Sequence, residues 1–174
     1  SLGSVFDGEP FIALNPNNSQ HMVVAWMGYK WGENIVIKTK VTFDAGQNWS
    51  ITNSIPHTNP VYGSADPTLA FDNNSNVFLA YIDFSKVIDS GAVYVTKSLD
   101  GGLNWQNPVE VITTFSDIGK YPIDRPWMSI DKSAGINSGN IYITTMTPSD
   151  FGPIHSGIIQ PPYNPYFIHS TDGG

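Results

Sequence analysis

No cysteine occurs in the 174 residues, which excludes a disulfide framework and any thiolate metal site. Basic residues are scarce too. There are eight Lys and Arg together against fifteen Asp and Glu, a net charge of −7, and Arg125 is the sole arginine. Phosphate recognition depends on Lys and Arg, so the charge argues against nucleic acid and disfavours an anionic membrane surface as partners. Charged residues of both signs make up only 13%, about half the usual share, and Asn, Ser, Thr and Gly supply the polarity instead. No apolar run approaches the length of a membrane span, so membrane insertion is not expected. No signal peptide is visible, so an exported protein would be represented here by its mature chain. No Gly-rich phosphate loop, G-x-S-x-G elbow or helical pattern of useful length is found, and His21, His57, His155 and His169 lack metal-ligand spacing.

What is present is repetition. "EPFIALNPNNSQHMVVAW" from Glu9, "DPTLAFDNNSNVFLAYI" from Asp66 and "DRPWMSIDKSAGINSGNIYITTM" from Asp124 share one plan: an acid, a Pro directly or one residue later, a short apolar strand, a polar turn and a longer apolar strand. Pro10, Pro67 and Pro126 are 57 and 59 residues apart. Each repeat reads as four strands. In the first they are Phe11–Leu14, His21–Met27, Asn34–Phe43 and a strand beginning near Trp49. Ile35, Ile37, Thr39, Val41 and Phe43 on one face alternate with Val36, Lys38, Lys40 and Thr42 on the other, which is the period of a strand. The second repeat gives Thr68–Phe71, Val77–Ile82, Ala92–Ser98 and Trp105–Ile112. The third gives Trp127–Ile130, Asn140–Thr147 and Tyr166–Ser170, without a fourth strand. Four-stranded units at this spacing predict the blades of a β-propeller.

Between the third and fourth strands lies "TFDAGQNW", Thr42 to Trp49, and again "SLDGGLNW", Ser98 to Trp105; "STDGG" closes the chain from Ser170. A structural role is expected for these residues. Gly46 and Gly102 can take positive φ, Asp44, Asp100 and Asp172 can accept the turn's amides, Thr42, Ser98 and Ser170 add a hydroxyl, and Trp49 and Trp105 cover the hairpin.

The pattern S/T-x-D-x-G-x-x-W resembles the Asp-box, or BNR repeat, of sialidase-like β-propellers. "DPTLAFD" and "DRPWMSID" are similar to openings in secreted bacterial proteins that carry such repeats. The resemblance covers nearly the whole chain. It implies an all-β fold of four-stranded antiparallel blades: one partial propeller domain over 1–174, with blades at about 9–60, 61–118 and 119–174, the last truncated. It also implies the N-terminal blades of a longer protein that is secreted or on the cell surface. A closed propeller takes roughly four to eight blades. The role implied is carbohydrate-related, either glycan binding or glycoside hydrolysis. A non-enzymatic module for protein–protein assembly or adhesion is the alternative, with a glycan or a surface protein as partner. A sialidase of this kind is expected to grip the substrate carboxylate with three arginines, so true sialidase activity is not expected from a segment holding one. No residue is assigned a catalytic role.

Glu9, Asp66 and Asp124 are read as equivalent positions at the start of the innermost strands, near the central channel. They can cap turns, contact sugar hydroxyls or share acid–base work. Arg125 pairs with Asp124 or faces a ligand, with Trp127 as a stacking platform. "DNNSN", Asp72 to Asn76, begins like a calcium loop but lacks its Gly and distal Glu, so a turn is favoured and structural calcium is a weak expectation; no other cofactor or metal is called for. Tyr29 and Trp31 fall in the loop after the second strand. The insertion Pro148–Pro165, with Phe151, His155 and Tyr163, is a candidate binding surface because it breaks the repeat.

Overall fold

A computed structural model describes residues 6–85, 90–113, 124–148 and 163–172. All regular structure in them is strand. The first sheet contains β1 (Phe6–Asn15), β2 (Asn18–Tyr29), β3 (Val36–Thr42) and β4 (Asn53–Ser54) in that order. The second contains β5 (Tyr62–Phe71), β6 (Val77–Ser85), β7 (Gly91–Ser98) and β8 (Val109–Thr113). The third runs β9 (Asp124–Ile130), β10 (Ile141–Pro148), β11 (Tyr163–Ser170). Every pairing is antiparallel between neighbours in sequence. The strands β1, β5 and β9 touch one another, β5 in the middle, so the first strand of each sheet is the innermost. These are blades of a β-propeller.

Burial explains why the blades read differently in sequence. Val23, Ala25, Ile37 and Val41 of the first sheet pack on Leu69, Phe71, Leu79 and Tyr81 of the second. The second sheet's other face, with Ala70, Phe78, Ala80 and Val95, packs on Met128, Ile130, Ile141 and Ile143 of the third. A sheet buried on both faces needs apolar residues at consecutive positions, hence the unbroken "VFLAYI" of β6. In β9 one face is covered and the other open: Met128 and Ile130 are buried, Trp127 and Ser129 exposed.

The polar turns join the blades as well as ending their strands. Asn17 Nδ2 donates to Asn73 O at 2.7 Å, and Asn73 Nδ2 donates to Lys132 O at 3.1 Å. The β1–β2, β5–β6 and β9–β10 turns are thus linked in series. In "DNNSN" the Asp72 carboxylate accepts the N–H groups of Asn74 and Asn76, both at 2.8 Å, and Asn76 Nδ2 at 2.7 Å. The turn's own donors satisfy it.

The β3–β4 and β7–β8 turns share one geometry. Asp44 accepts the Thr42 hydroxyl (2.8 Å), Asn48 N–H (2.8 Å) and Asn48 Nδ2 (2.7 Å), while Thr42 Oγ1 accepts Gly46 N–H (3.0 Å). Asp100 repeats this with Ser98 and Asn104, and Ser98 Oγ accepts Gly102 N–H. The Ser170 hydroxyl likewise bonds Asp172; Gly173 and Gly174 lie outside the described residues.

Several expectations need correction. Trp49 and Trp105 do not begin a strand; β4 starts at Asn53 and β8 at Val109. Each Trp sits in the stretch crossing from turn to strand, where its ring closes on the turn or on the neighbouring blade. The innermost strands also begin earlier than their alternation suggests, at Phe6 and Tyr62 rather than Phe11 and Thr68, because a bulge in each shifts the side-chain phase.

Candidate functional site

Three bulges build the site. In β1 the register slips between Gly8 and Phe11, in β5 between Ala65 and Thr68, and in β9 opposite Thr144–Met146. The residue before proline at each is left-handed: Glu9 (φ 51°), Asp66 (φ 53°) and Arg125 (φ 48°). Positive φ is rare outside glycine, and a following proline normally pushes its predecessor into extended backbone. Such strain costs about 1–3 kcal/mol per residue and clusters at ligand sites. Here all three strained residues belong to the innermost strands.

This geometry corrects the repeat alignment. Glu9, Asp66 and Arg125, not Asp124, are the equivalent positions. The proline fixes the bulge, and in the third repeat it follows an arginine; Asp124 precedes the bulge and pairs with Met146. Asp124 nevertheless reaches the same place. Glu9, Asp66, Arg125 and Trp127 line one cleft of about 230 Å³, together with Phe11 and Thr68. The carboxyl of Asp66 interacts with those of both Glu9 and Asp124, so it stands between the two in a row of three acids. Arg125 N–H points into the row, 2.9 Å from Asp124 Oδ1 and 3.3 Å from Asp66 Oδ2. Its guanidinium forms no ion pair within the described residues and is exposed beside the cleft. Trp127 is 66% exposed and meets the Phe11 ring edge-on at 6.1 Å.

Crowded carboxyls in a half-buried cleft hold protons more tightly. Burial pushes Asp124 up to about 6, with the hydrogen bond to Asp66 and the Asp66 charge adding to it. Asp66 is also raised, first by burial and then by Glu9. Asp124 in the unfolded chain titrates near 4. Between those values the folded protein binds more protons, so the contribution is full below about pH 4 and lost as pH rises through about 6. Asp124→Asn keeps a neutral donor and removes the titration. The variant is expected to match the wild type at pH 4 and to unfold a few degrees higher at pH 7; solvent screening takes part of the effect. Thermal unfolding from pH 4 to 7 measures this. A difference independent of pH would remove the account of a raised Asp124.

Phe11, Thr68 and Thr145 were not singled out by the sequence. Thr145 Oγ1 donates to Asp124 O at 2.6 Å, and Thr68 Oγ1 accepts Met128 N–H at 3.4 Å. Their only signal is position at a bulge: Phe11 and Thr68 follow one on their own strands and Thr145 faces one. A second polar cluster contains serine, histidine and aspartate but is not a nucleophilic triad. Ser64 Oγ and Asp83 Oδ1 both sit 3.0 Å from His57 Nδ1, and Ser64 donates to Asp83 at 2.9 Å. A base that activates serine needs one ring nitrogen for the hydroxyl and the other for the acid. Tyr29 ends β2, Trp31 is 84% exposed in the following turn, and Phe151 and His155 of the insertion lie outside the described residues. Among the described residues no three His, Cys, Asp or Glu side chains are arranged to hold a metal ion.

No family model and no curated protein matches the chain. Solved structures do. A Dyadobacter fermentans protein of unknown function matches all of the chain with a TM-score of 0.70 at 17% identity, over 53% of its own length. An α-L-arabinanase of Penicillium chrysogenum matches 83% of the chain with a TM-score of 0.60 at 16% identity, over 41% of its length. An α-L-arabinofuranosidase of Fusarium graminearum matches 83% with a TM-score of 0.58 at 13% identity, also over 41%. The chain therefore spans about half the length of these structures. At such identities the likeness establishes the fold.

Proposed function

We propose that the chain is part of a secreted or cell-surface propeller of the sialidase-like, Asp-box kind, and that the cleft between β1, β5 and β9 binds a glycan. The observation that carries this reading is the convergence of Glu9, Asp66 and Arg125 in one cleft with an exposed Trp127, with Asp124 beside them against Asp66 and the Arg125 N–H. Carboxylates and a guanidinium match sugar hydroxyls, and an indole face covers the apolar face of a sugar ring. The arabinanase and arabinofuranosidase with the same fold are carbohydrate enzymes by name and lend support. Recognition is the part of the reading that the cleft carries, and no pair of the three acids is assigned the acid–base roles of a glycosidase.

Calorimetric titration with arabinan, galactan and sialylated oligosaccharides tests the reading. Saturable binding to at least one is expected, about tenfold weaker in Trp127→Ala. No binding to any of them, or binding that Trp127→Ala leaves unchanged, would favour an assembly or adhesion module that docks a surface protein.

A further inference from the structure

A larger cavity lies beside the cleft on the same strand. It measures about 560 Å³, within the range of small-molecule sites. Gly63–Ala65 of β5 line it, and the next three residues, Asp66–Thr68, line the acidic cleft. The floor is apolar: Ile35, Ala65, Ile82 and Phe84. Tyr29 and Glu33 complete it from the β2–β3 hairpin, whose tip carries the exposed Trp31. The cavity is lined by residues of the first and second blades, joined by the backbone bond Ser64 N–H to Ile35 O, 2.8 Å, while Ile82 and Phe84 also pack on Tyr166 and Ile168 of the third.

The two spaces differ in chemistry. The cleft offers a cluster of charges, whereas the neighbouring cavity is mostly apolar, with Glu33, Asn34, Ser64 and Ser85 as the polar part of its lining. A second sugar ring laid on Ile35, Ala65, Ile82 and Phe84 would leave the hydroxyls on that side unpaired, which is costly. An aromatic or aliphatic group would bury its surface there with gain. Resting on the glycan-binding reading above, we propose that the ligand is a glycoconjugate: its sugar lies against Asp66 and Trp127, and an apolar aglycone fills the cavity between Ile35 and Phe84.

Matched methyl and 4-nitrophenyl glycosides of arabinofuranose, galactose and sialic acid, titrated calorimetrically, test the proposal. For at least one sugar the aryl glycoside is expected to bind about tenfold tighter or better. Gly63→Leu supplies a plug. Gly63 has no left-handed φ, and an added Cβ would meet nothing closer than Ile35 O at 3.8 Å, so the backbone accepts it. The variant is expected to erase the aryl preference and keep the methyl glycoside affinity. Equal aryl and methyl affinities, or a preference that survives the plug, would overturn the proposal while leaving glycan binding intact. If no glycoside binds, the glycan reading and this proposal fall together. 4-Nitrophenol alone, followed by the methyl resonances of Ile35 and Ile82 in the unmodified protein, locates the aryl group without relying on any variant. Shifts confined to those two isoleucines are expected, and shifts elsewhere would count against the cavity.

Discussion

Asp83→Ala is expected to destabilise the chain by about 3–5 kcal/mol, lowering the unfolding temperature by roughly 10 °C. Asp83 has no exposed surface, yet it lies in the second blade among apolar neighbours. Four donors hold it. Oδ1 accepts Ser64 Oγ–H at 2.9 Å and faces His57 Nδ1 at 3.0 Å; Oδ2 accepts Thr58 N–H at 2.9 Å and Thr58 Oγ1–H at 2.8 Å. His57 and Thr58 belong to the link between the first and second blades, and Ser64 to β5. One carboxylate thus ties the interblade link to two strands. Truncation removes the acceptor and leaves its donors buried, where each unmet hydrogen bond costs about 1–3 kcal/mol. The effect reaches the cleft, because Ser64 stands two residues before Asp66. Urea denaturation is the measurement. A loss below about 1 kcal/mol would mean that the donors find other partners and that the cluster does not hold the link.

This cluster marks the limit of what the sequence discloses. His57, Ser64 and Asp83 come from three elements, and no local pattern joins them. The same holds for His21, whose ring donates from Nε2 to Gly101 O at 2.8 Å while Nδ1 accepts Asn15 Nδ2–H at 2.8 Å. It clamps two blades across eighty positions of chain. By contrast, the turns at Asp44 and Asp100 are legible, because every partner of each carboxylate lies within four residues. The covered face of β3 is legible for a related reason: Ile37, Thr39 and Val41 alternate without a bulge and are all buried. The cleft lies between these cases. Its residues are marked by the recurring proline, but the correct alignment depends on φ. Counting by acid selects Asp124, whereas counting by the residue before proline selects Arg125, and the backbone takes the second. That choice has a chemical consequence. The repeat supplies two acids and one base at the strained positions, and Asp124 is an addition of the third blade alone. The raised Asp124 carboxyl is therefore a property of this cleft and not of the repeat.

Gly46 and Gly102 occupy the same position in successive turns, and alanine is expected to affect them unequally. Both are left-handed, at φ 90° and 104°. An L residue there costs about 1–2 kcal/mol in either turn. At Gly46 an added Cβ would find its nearest neighbour, the Met22 methyl, at 3.7 Å, an ordinary contact. At Gly102 it would lie 2.7 Å from Cγ2 of Val23, a fully buried residue of the preceding blade. Overpacking of this kind adds about 1–3 kcal/mol. Gly46→Ala should therefore cost about 1–2 kcal/mol and Gly102→Ala about 2–5 kcal/mol, measured by the same denaturant titration. The difference reads the contact between blades directly, since the local turn is common to both. The tryptophans support the same division. Trp105 reaches across to Thr39 Oγ1 at 3.2 Å, while Trp49 bonds only within its own turn, to Gly46 O at 3.1 Å. Equal losses at the two glycines would show that Val23 yields to the new methyl. The second turn would then be a hairpin closure like the first, and blade cohesion would rest on the apolar faces and the His21 clamp.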